Sequence, residues 1–198
     1  MINRRMILTA GVGGLLCATF RETRASDQAS RMLERARILL ERHQQSISNS
    51  ENMAIADFAL HSSVPRLHLI DVVNGTMSSY LVAHGRGSDP NHTGWLERFS
   101  NAPHSNATSA GAYLTSAEYV GAHGRSLRLE GLERNNDKAA MRGIVVHGAA
   151  YVSDEMVHRV GKLGRSEGCL AVPFEHLHEI IGRLRPGSLI VAARLVAA

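Results

Sequence analysis

The sequence predicts a mainly β domain with a few peripheral helices, and three observations carry that reading. Short apolar or alternating segments recur from about Asn52 onward, separated by turns containing Gly, Pro and Asn. One of them, Ile144-Val145-Val146, is a continuous apolar run of the kind found in strands buried on both faces. Helical spacing is confined to residues 27–48, to a short insertion and to a stretch near the C-terminus. The 198 residues suffice for one domain with a sizeable core.

Residues 1–25 read as a twin-arginine-like signal peptide. Arg4-Arg5 leads into apolar residues, and Ile7 to Phe20 is a Gly- and Ala-rich stretch too short for a permanent span. Thr23-Arg24-Ala25 then offers a small-residue cleavage site; a buried N-terminal helix is the alternative reading. Leu15-Leu16-Cys17 fits a lipid-anchoring site poorly, because a bulky Leu directly precedes the Cys. Beyond residue 25 no run of 18 apolar residues occurs, so no stable membrane insertion is expected after cleavage. The expected location is the periplasm or the cell wall.

Cleavage would change both charge and cysteine content. The whole chain has a formal charge of +4, whereas residues 26–198 hold 18 basic against 17 acidic residues. A near-neutral chain gives no support to nucleic-acid binding. Of the two cysteines, Cys17 and Cys169, only Cys169 would remain, as a lone thiol in an oxidising compartment. There it is a hazard unless buried or used.

Residues 26–51 form an N-terminal helical segment, in which Met32, Leu33, Ala36, Leu39 and Leu40 make an apolar stripe over residues 27–48. Residues 52–198 form the β-rich domain. Arg66 to Val72 alternates as a strand, Asn74-Gly75 marks a hairpin turn and Met77 to His84 is the return strand. Gly85 to Ser109 reads as a long loop, of a length that usually lines a site or moves. Ala112 to Thr115, Ser126 to Leu132 and Gly143 to His147 are further short strands. The insertion near Ser153 to Gly164 has helical character through Met156, Val157 and Val160. Pro173 to Leu184 is a helix with Phe174, Leu177, Ile180, Ile181 and Leu184 on one face, and Ser188 to Ala193 is a closing strand after Pro186-Gly187.

Three local features carry chemistry. Val146-His147-Gly148 places an imidazole at the end of a buried strand, with a backbone carbonyl free to accept its second N–H. Gly164-Arg165-Ser166-Glu167-Gly168-Cys169 is a Gly-flanked tight segment ending in the thiol, and amides of such a turn can point at an oxyanion. Ser109-Ala110-Gly111-Ala112-Tyr113-Leu114 is a glycine followed by a strand bearing an aromatic. A free thiol of pKa about 8.5 is only a few per cent thiolate at neutral pH. A nearby imidazole, or a cation such as Arg165, raises that fraction, so a Cys-His pair is the expected nucleophile and base. A metal centre finds little support in the 11 histidines: His176 and His178 do not have a helical ligand spacing. The others, among them His61, His68, His92 and His104, are scattered, and His84 and His123, each followed by Gly, are at most groove-lining.

At these residues the chain resembles the L,D-transpeptidase (YkuD-type) catalytic domain, in its murein L,D-transpeptidase-like branch. The shared pattern is His147-Gly148 after a strand, followed by Ser166-Glu167-Gly168-Cys169. Ser63-Val64-Pro65-Arg66-Leu67, His84-Gly85-Arg86-Gly87-Ser88, Phe99-Ser100-Asn101, Ser109-Ala110-Gly111-Ala112-Tyr113 and Ser126-Leu127-Arg128-Leu129 extend it in order over roughly residues 52–195. The resemblance implies a β-sandwich-like catalytic domain acting on peptidoglycan stem peptides, without metal or organic cofactor. It implies Cys169 as nucleophile, His147 as base, the Gly148 carbonyl as its orienter, and amides near Gly168 and Cys169 as the oxyanion hole. Arg165, Ser166, Tyr113 and Arg86 are the candidate substrate-binding residues. Carbapenems are expected to acylate Cys169.

Two positions depart from the family pattern. Many members have a second His where this chain has Glu167, a carboxylate that would raise the thiol pKa if turned inward. Glu167 is expected to face solvent or to pair with Arg165. The 22-residue step from His147 to Cys169 is also longer than usual. Beside the transpeptidase stand two alternatives: an L,D-carboxypeptidase-type hydrolase of the same bond, and a non-catalytic wall-binding relative whose thiol Glu167 has silenced.

Overall fold

A computed structural model describes residues 13–195, with side chains from residue 27. The Arg4-Arg5 pair and residues 1–12 of the expected signal peptide lie outside the described residues, as does the Cys17 side chain. Helix α1 spans Gly13–Arg42, so its backbone continues through the expected cleavage position. No described helix is long and apolar enough to cross a membrane. Strands β1 (Asn52–Asp57), β2 (Leu67–Asp71) and β3 (Thr76–Tyr80) follow, then a long loop holding one 3-10 turn at Arg86–Ser88. After it come the hairpin β4 (Gly111–Gly121) and β5 (Gly124–Gly131), and β6 (Val145–Gly148). Helix α2 (Asp154–Val160), β7 (Leu170–Val172), α3 (Phe174–Arg183) and β8 (Leu189–Ala193) complete the order.

The eight strands join one sheet in the order β3-β2-β1-β8-β4-β5-β6-β7. The β1–β8 and β6–β7 pairs are parallel and the rest antiparallel. The sheet curls until its edges meet: beyond Tyr80 the chain runs on to bridge Ala83 to Ala171 and Gly85 to Ser166. One curled sheet thus makes both walls of the sandwich-like layering.

Strands β1 and β8 explain the layering. They are apolar at successive positions because both of their faces are covered. Ala54, Ala56, Ile190 and Ala192 join the inner core with Leu69, Leu127, Leu129, Val146 and Leu170, closed by Leu177, Ile180, Ile181 and Leu184 from α3 and its end. Met53, Ile55, Leu189 and Val191 point the other way, where the α1 stripe of Met32, Leu33, Ala36, Leu39 and Leu40 covers them. Phe174, expected on the inner face of α3, is exposed, because at the first position of the helix it leans toward Gly148 rather than inward. Helix α2 confirms the helical insertion, with Ser153 Oγ accepting the Met156 amide at its start.

A buried ionic network fixes the loop after β3. The Arg66 guanidinium is fully buried, donates to the Val82 and Leu60 carbonyls, and lies 4.9 Å from the Phe58 ring centroid. It also donates to His84 Nδ1 at 2.8 Å. Since guanidinium carries only donors, Nδ1 accepts and Nε2 holds the proton, facing Asp89 Oδ2 at 3.4 Å. Burial alone would raise the Asp89 carboxyl, but the Thr93 and Gly94 amides outweigh it and hold it below the usual range.

Burial, and then the Arg66 charge, push His84 down to about 4 from its ordinary 6.5. Between those values the unfolded chain binds the proton and the folded chain does not. Stability therefore falls as pH drops from about 6.5 and levels off below about 4, by up to about 3 kcal/mol from this residue. Urea midpoints measured at pH 7 and pH 4.5 should show that loss, and His84→Gln should shrink it. The residual fall reports His68 and His147, which burial also lowers.

Candidate active site

Cys169 sits one residue before β7. In the parallel register of β6 and β7, Val146 pairs with Leu170 and His147 with Ala171. One step back sets Cys169 beside Val145, so the thiol and the His147 imidazole stand a diagonal step apart on one side of the paired strands. The thiol donates to the Gly143 carbonyl at 3.5 Å, and the nearby Val145 amide favours its ionised form.

The turn that presents the thiol is locked by short polar side chains. Ser166 Oγ accepts the Gly168 amide at 3.1 Å and donates to the Cys169 carbonyl at 2.7 Å. Thr108 Oγ1 donates to the Gly168 carbonyl and accepts the Gly85 amide. Gly168 has φ of +123°, and a Cβ there would lie 2.8 Å from the Ala107 carbonyl oxygen, so the position demands glycine. Of the amides near Gly168 and Cys169 expected to face an oxyanion, that of Gly168 is engaged by Ser166 Oγ. The amides directed at the sulfur are those of Val145 and Cys169 itself.

His147 is buried, and its Nδ1 donates to the Gly148 carbonyl at 3.0 Å. That bond requires the proton on Nδ1 and leaves Nε2 as the basic nitrogen. Burial lowers the imidazole pKa, the Gly148 bond partly opposes this, and His123 lowers it further. The His123 ring stacks on His147 with centroids 4.4 Å apart and planes 22° from parallel.

Electrostatics around the thiol are mixed. Burial pushes the Cys169 pKa up; the Val145 amide and Arg142 pull it down, and Glu167 pushes it up again. Arg142 is held over the turn by the Ser100 and Ala107 carbonyls and the Ser109 hydroxyl. Tyr151, after β6, is pushed up to about 12 by burial and by the negative charge of Cys169 and Glu167. A cleft of about 370 Å³ opens alongside, lined by Pro103, His104, Asn106, Met141, Arg142 and Glu167.

Ser166, Gly168 and Cys169 form one hydrogen-bonded turn that runs into β7, and His147 and Gly148 lie on the neighbouring strand, paired with Ala171 and Val172. Arg86 reaches the rim, where its ion pair with Glu167 measures 2.8 Å; Glu167 is 71% exposed. Glu167 faces solvent as expected, but its partner is Arg86, because Arg165 turns away to donate to the Asp89 and Pro90 carbonyls. Tyr113 is fully buried and its hydroxyl donates to the Ser109 carbonyl, which makes it a support of the segment that holds Arg142. Arg142 and Tyr151 escaped the sequence reading, and His123 entered it only as a candidate groove-lining residue. Only His123 left a signal, as a His-Gly at a turn. Among the described residues no group of three or more His, Cys, Asp and Glu is placed to hold a metal ion.

A family model for the L,D-transpeptidase catalytic domain matches residues 24–192. No match is found among curated proteins. Similar solved structures include an L,D-transpeptidase from Mycobacterium smegmatis, with 14% identity, 72% of this chain and 58% of that chain covered, and a TM-score of 0.44. Another is residues 123–326 of the L,D-transpeptidase from Xylanimonas cellulosilytica, with 16% identity, coverages of 74% and 62%, and a TM-score of 0.41. The helical cell shape determining protein Pgp2 from Campylobacter jejuni gives 12% identity, coverages of 74% and 48%, and a TM-score of 0.45. The chain therefore spans less than two thirds of the length of each.

The electrostatic ordering around Cys169 has a direct readout. The pH dependence of alkylation by iodoacetamide should give a midpoint above the roughly 8.5 of a free thiol. Arg142→Met should move it higher and Glu167→Gln lower, since one change removes a nearby cation and the other a carboxylate.

Proposed function

The chain belongs to the L,D-transpeptidase catalytic-domain family, and from that premise we propose that it is an exported cysteine acyltransferase of peptidoglycan stem peptides. Cys169 is the nucleophile and His147 the general base. The observation that carries this reading is a lone thiol in a rigid turn, a diagonal step from an imidazole whose tautomer leaves Nε2 basic.

At rest both partners are neutral: burial holds the imidazole unprotonated and the thiol protonated. The pair is thus a thiol and a base awaiting substrate, rather than a standing ion pair. As Sγ attacks the carbonyl of the third stem residue, Nε2 takes the thiol proton and the carbonyl oxygen becomes an oxyanion near the Cys169 amide. Collapse breaks the bond to the fourth residue, a D-alanine, whose amine leaves with the proton from His147. The thioester on Cys169 then passes to an amine of a neighbouring stem, giving a 3→3 cross-link and restoring the thiol. Water as acceptor would give the carboxypeptidase outcome from the same acyl-enzyme. No cofactor enters these steps, and neither nucleic acid nor a membrane span is needed. Against the wall-binding alternative stands Glu167, which is exposed and paired with Arg86 rather than turned onto the thiol.

Intact mass after incubation with tetrapeptide-stem muropeptides tests the proposal. An acyl adduct, or a cross-linked or tripeptide product, is expected with the native chain and not with Cys169→Ala. No adduct and no turnover from folded protein across several stem chemistries would overturn it. The acid limb of kcat/KM should fall below the ordinary His value of about 6.5, and activity should hold through neutrality because the thiol stays protonated beyond it.

A further inference from the structure

The hairpin of β4 and β5 projects past the sheet. Strand β4 pairs with β8 only over Gly111–Leu114, and β5 pairs with β6 only over Ser126–Arg128. Beyond these the two strands pair only with each other, out to Gly121 and Gly124, after a register shift between Thr115 and Glu118. Such an irregularity bends and twists a hairpin. The arm is tethered: Arg125 pairs with Glu118 at 2.9 Å and donates to His178 Nδ1 of α3 at 2.6 Å, while Arg128 lies over the Tyr119 ring. At its tip is the two-residue turn Ala122-His123, and the exposed His123 ring lies on the buried His147 ring at 4.4 Å.

We propose that His123 is a positioning residue for His147, laid by the hairpin arm onto the imidazole face so that it fixes the ring plane and tunes the charge the ring can carry. The proposal rests on His147 being the base. The Nδ1 bond to Gly148 sets one edge of the ring, and the stack sets its plane while leaving Nε2 free. A neutral aromatic face tolerates the imidazolium that forms when the thiol proton is taken, whereas a protonated His123 opposes it. The other charged or titratable groups near the pair are accounted for. Arg125, Glu118 and His178 engage one another on the arm and α3, and Arg128 stacks on Tyr119. Cys169 approaches from β7, with Arg142, Tyr151 and Glu167 grouped around it.

Three forms of the full chain separate plane from charge. His123→Ala removes both, and should lower kcat about tenfold, the scale of a sub-ångström misplacement. His123→Phe keeps the stack and should restore most of that loss. In both variants the acid limb of kcat/KM should move to higher pH, because the neighbouring imidazole that lowers His147 is gone. The His147 titration, followed by NMR in a Cys169→Ala background, should shift upward in both and needs no turnover. A wild-type kcat together with an unmoved His147 titration in His123→Ala would overturn the proposal. If instead His147→Asn retains full activity, the reading of His147 as the base fails, which is a separate result.

Discussion

The turn that carries Cys169 depends on two backbone segments that hydrogen-bond directly to each other. Residues 83–86 and 166–171 exchange hydrogen bonds from the Ala83 amide to Ala171, from Ser166 to His84 and from Arg86 to Ser166. A Cβ at Gly85 would lie 2.7 Å from the Gly168 amide nitrogen. This seam closes the curled sheet and leads into the parallel pairing of β6 with β7, so the same contact that completes the fold also sets the turn carrying Cys169 beside the strand carrying His147. Beneath it, Arg66, His84 and Asp89 anchor the loop from inside the core. A buried cation is tolerated there because carbonyls and a carboxylate surround it; removing one partner of such a set costs about 3–5 kcal/mol.

Burial does two opposed things at the site. It lowers the pKa of His147, which favours the neutral imidazole, and raises that of Cys169, which favours the protonated thiol. Arg142 and the Val145 amide offset the second effect without reversing it. The outcome favours a proton transfer made during attack over a preformed thiolate, and so makes the placement of the imidazole ring matter more. A thiolate held by a cation would react from many orientations, but a neutral pair needs Nε2 within reach of the thiol proton. The ring's two restraints, the Gly148 carbonyl at its edge and His123 on its face, answer that need.

Local signals told much of this in advance. The His-Gly at a strand end and the Ser-x-Gly-Cys turn are short-range features, so their local structure could be read from adjacent residues. The α1 stripe and the hairpin at Asn74-Gly75 were legible for the same reason. Strand β1 was not singled out, because Asn52–Asp57 lacks alternation; its two buried faces come from the parallel pairing with β8, which joins residues far apart in sequence. Arg142 looks like an ordinary surface residue beside a turn, and only the fold lays it over Gly168. Arg165 misled in the opposite way: four residues from the thiol along the chain, its guanidinium points to the Asp89 loop. Tyr113 belongs to the core for a reason the sequence did contain, since a strand aromatic packs inward more often than it binds substrate.

Glu167 shows how a departure from a family pattern can act beside the nucleophile rather than on it. A carboxylate next to a thiolate is costly when both are dry, but at 71% exposure solvent screens it, and Arg86 at 2.8 Å makes a nearly neutral pair of it. Its upward push on the thiol stands behind burial, the Val145 amide and Arg142. The residue also lines the adjoining cleft, together with Arg142, His104, Asn106, Pro103 and Met141. On this geometry Glu167 belongs to the rim beside Cys169, paired with Arg86, and its effect on the thiol is smaller than those of burial, the Val145 amide and Arg142.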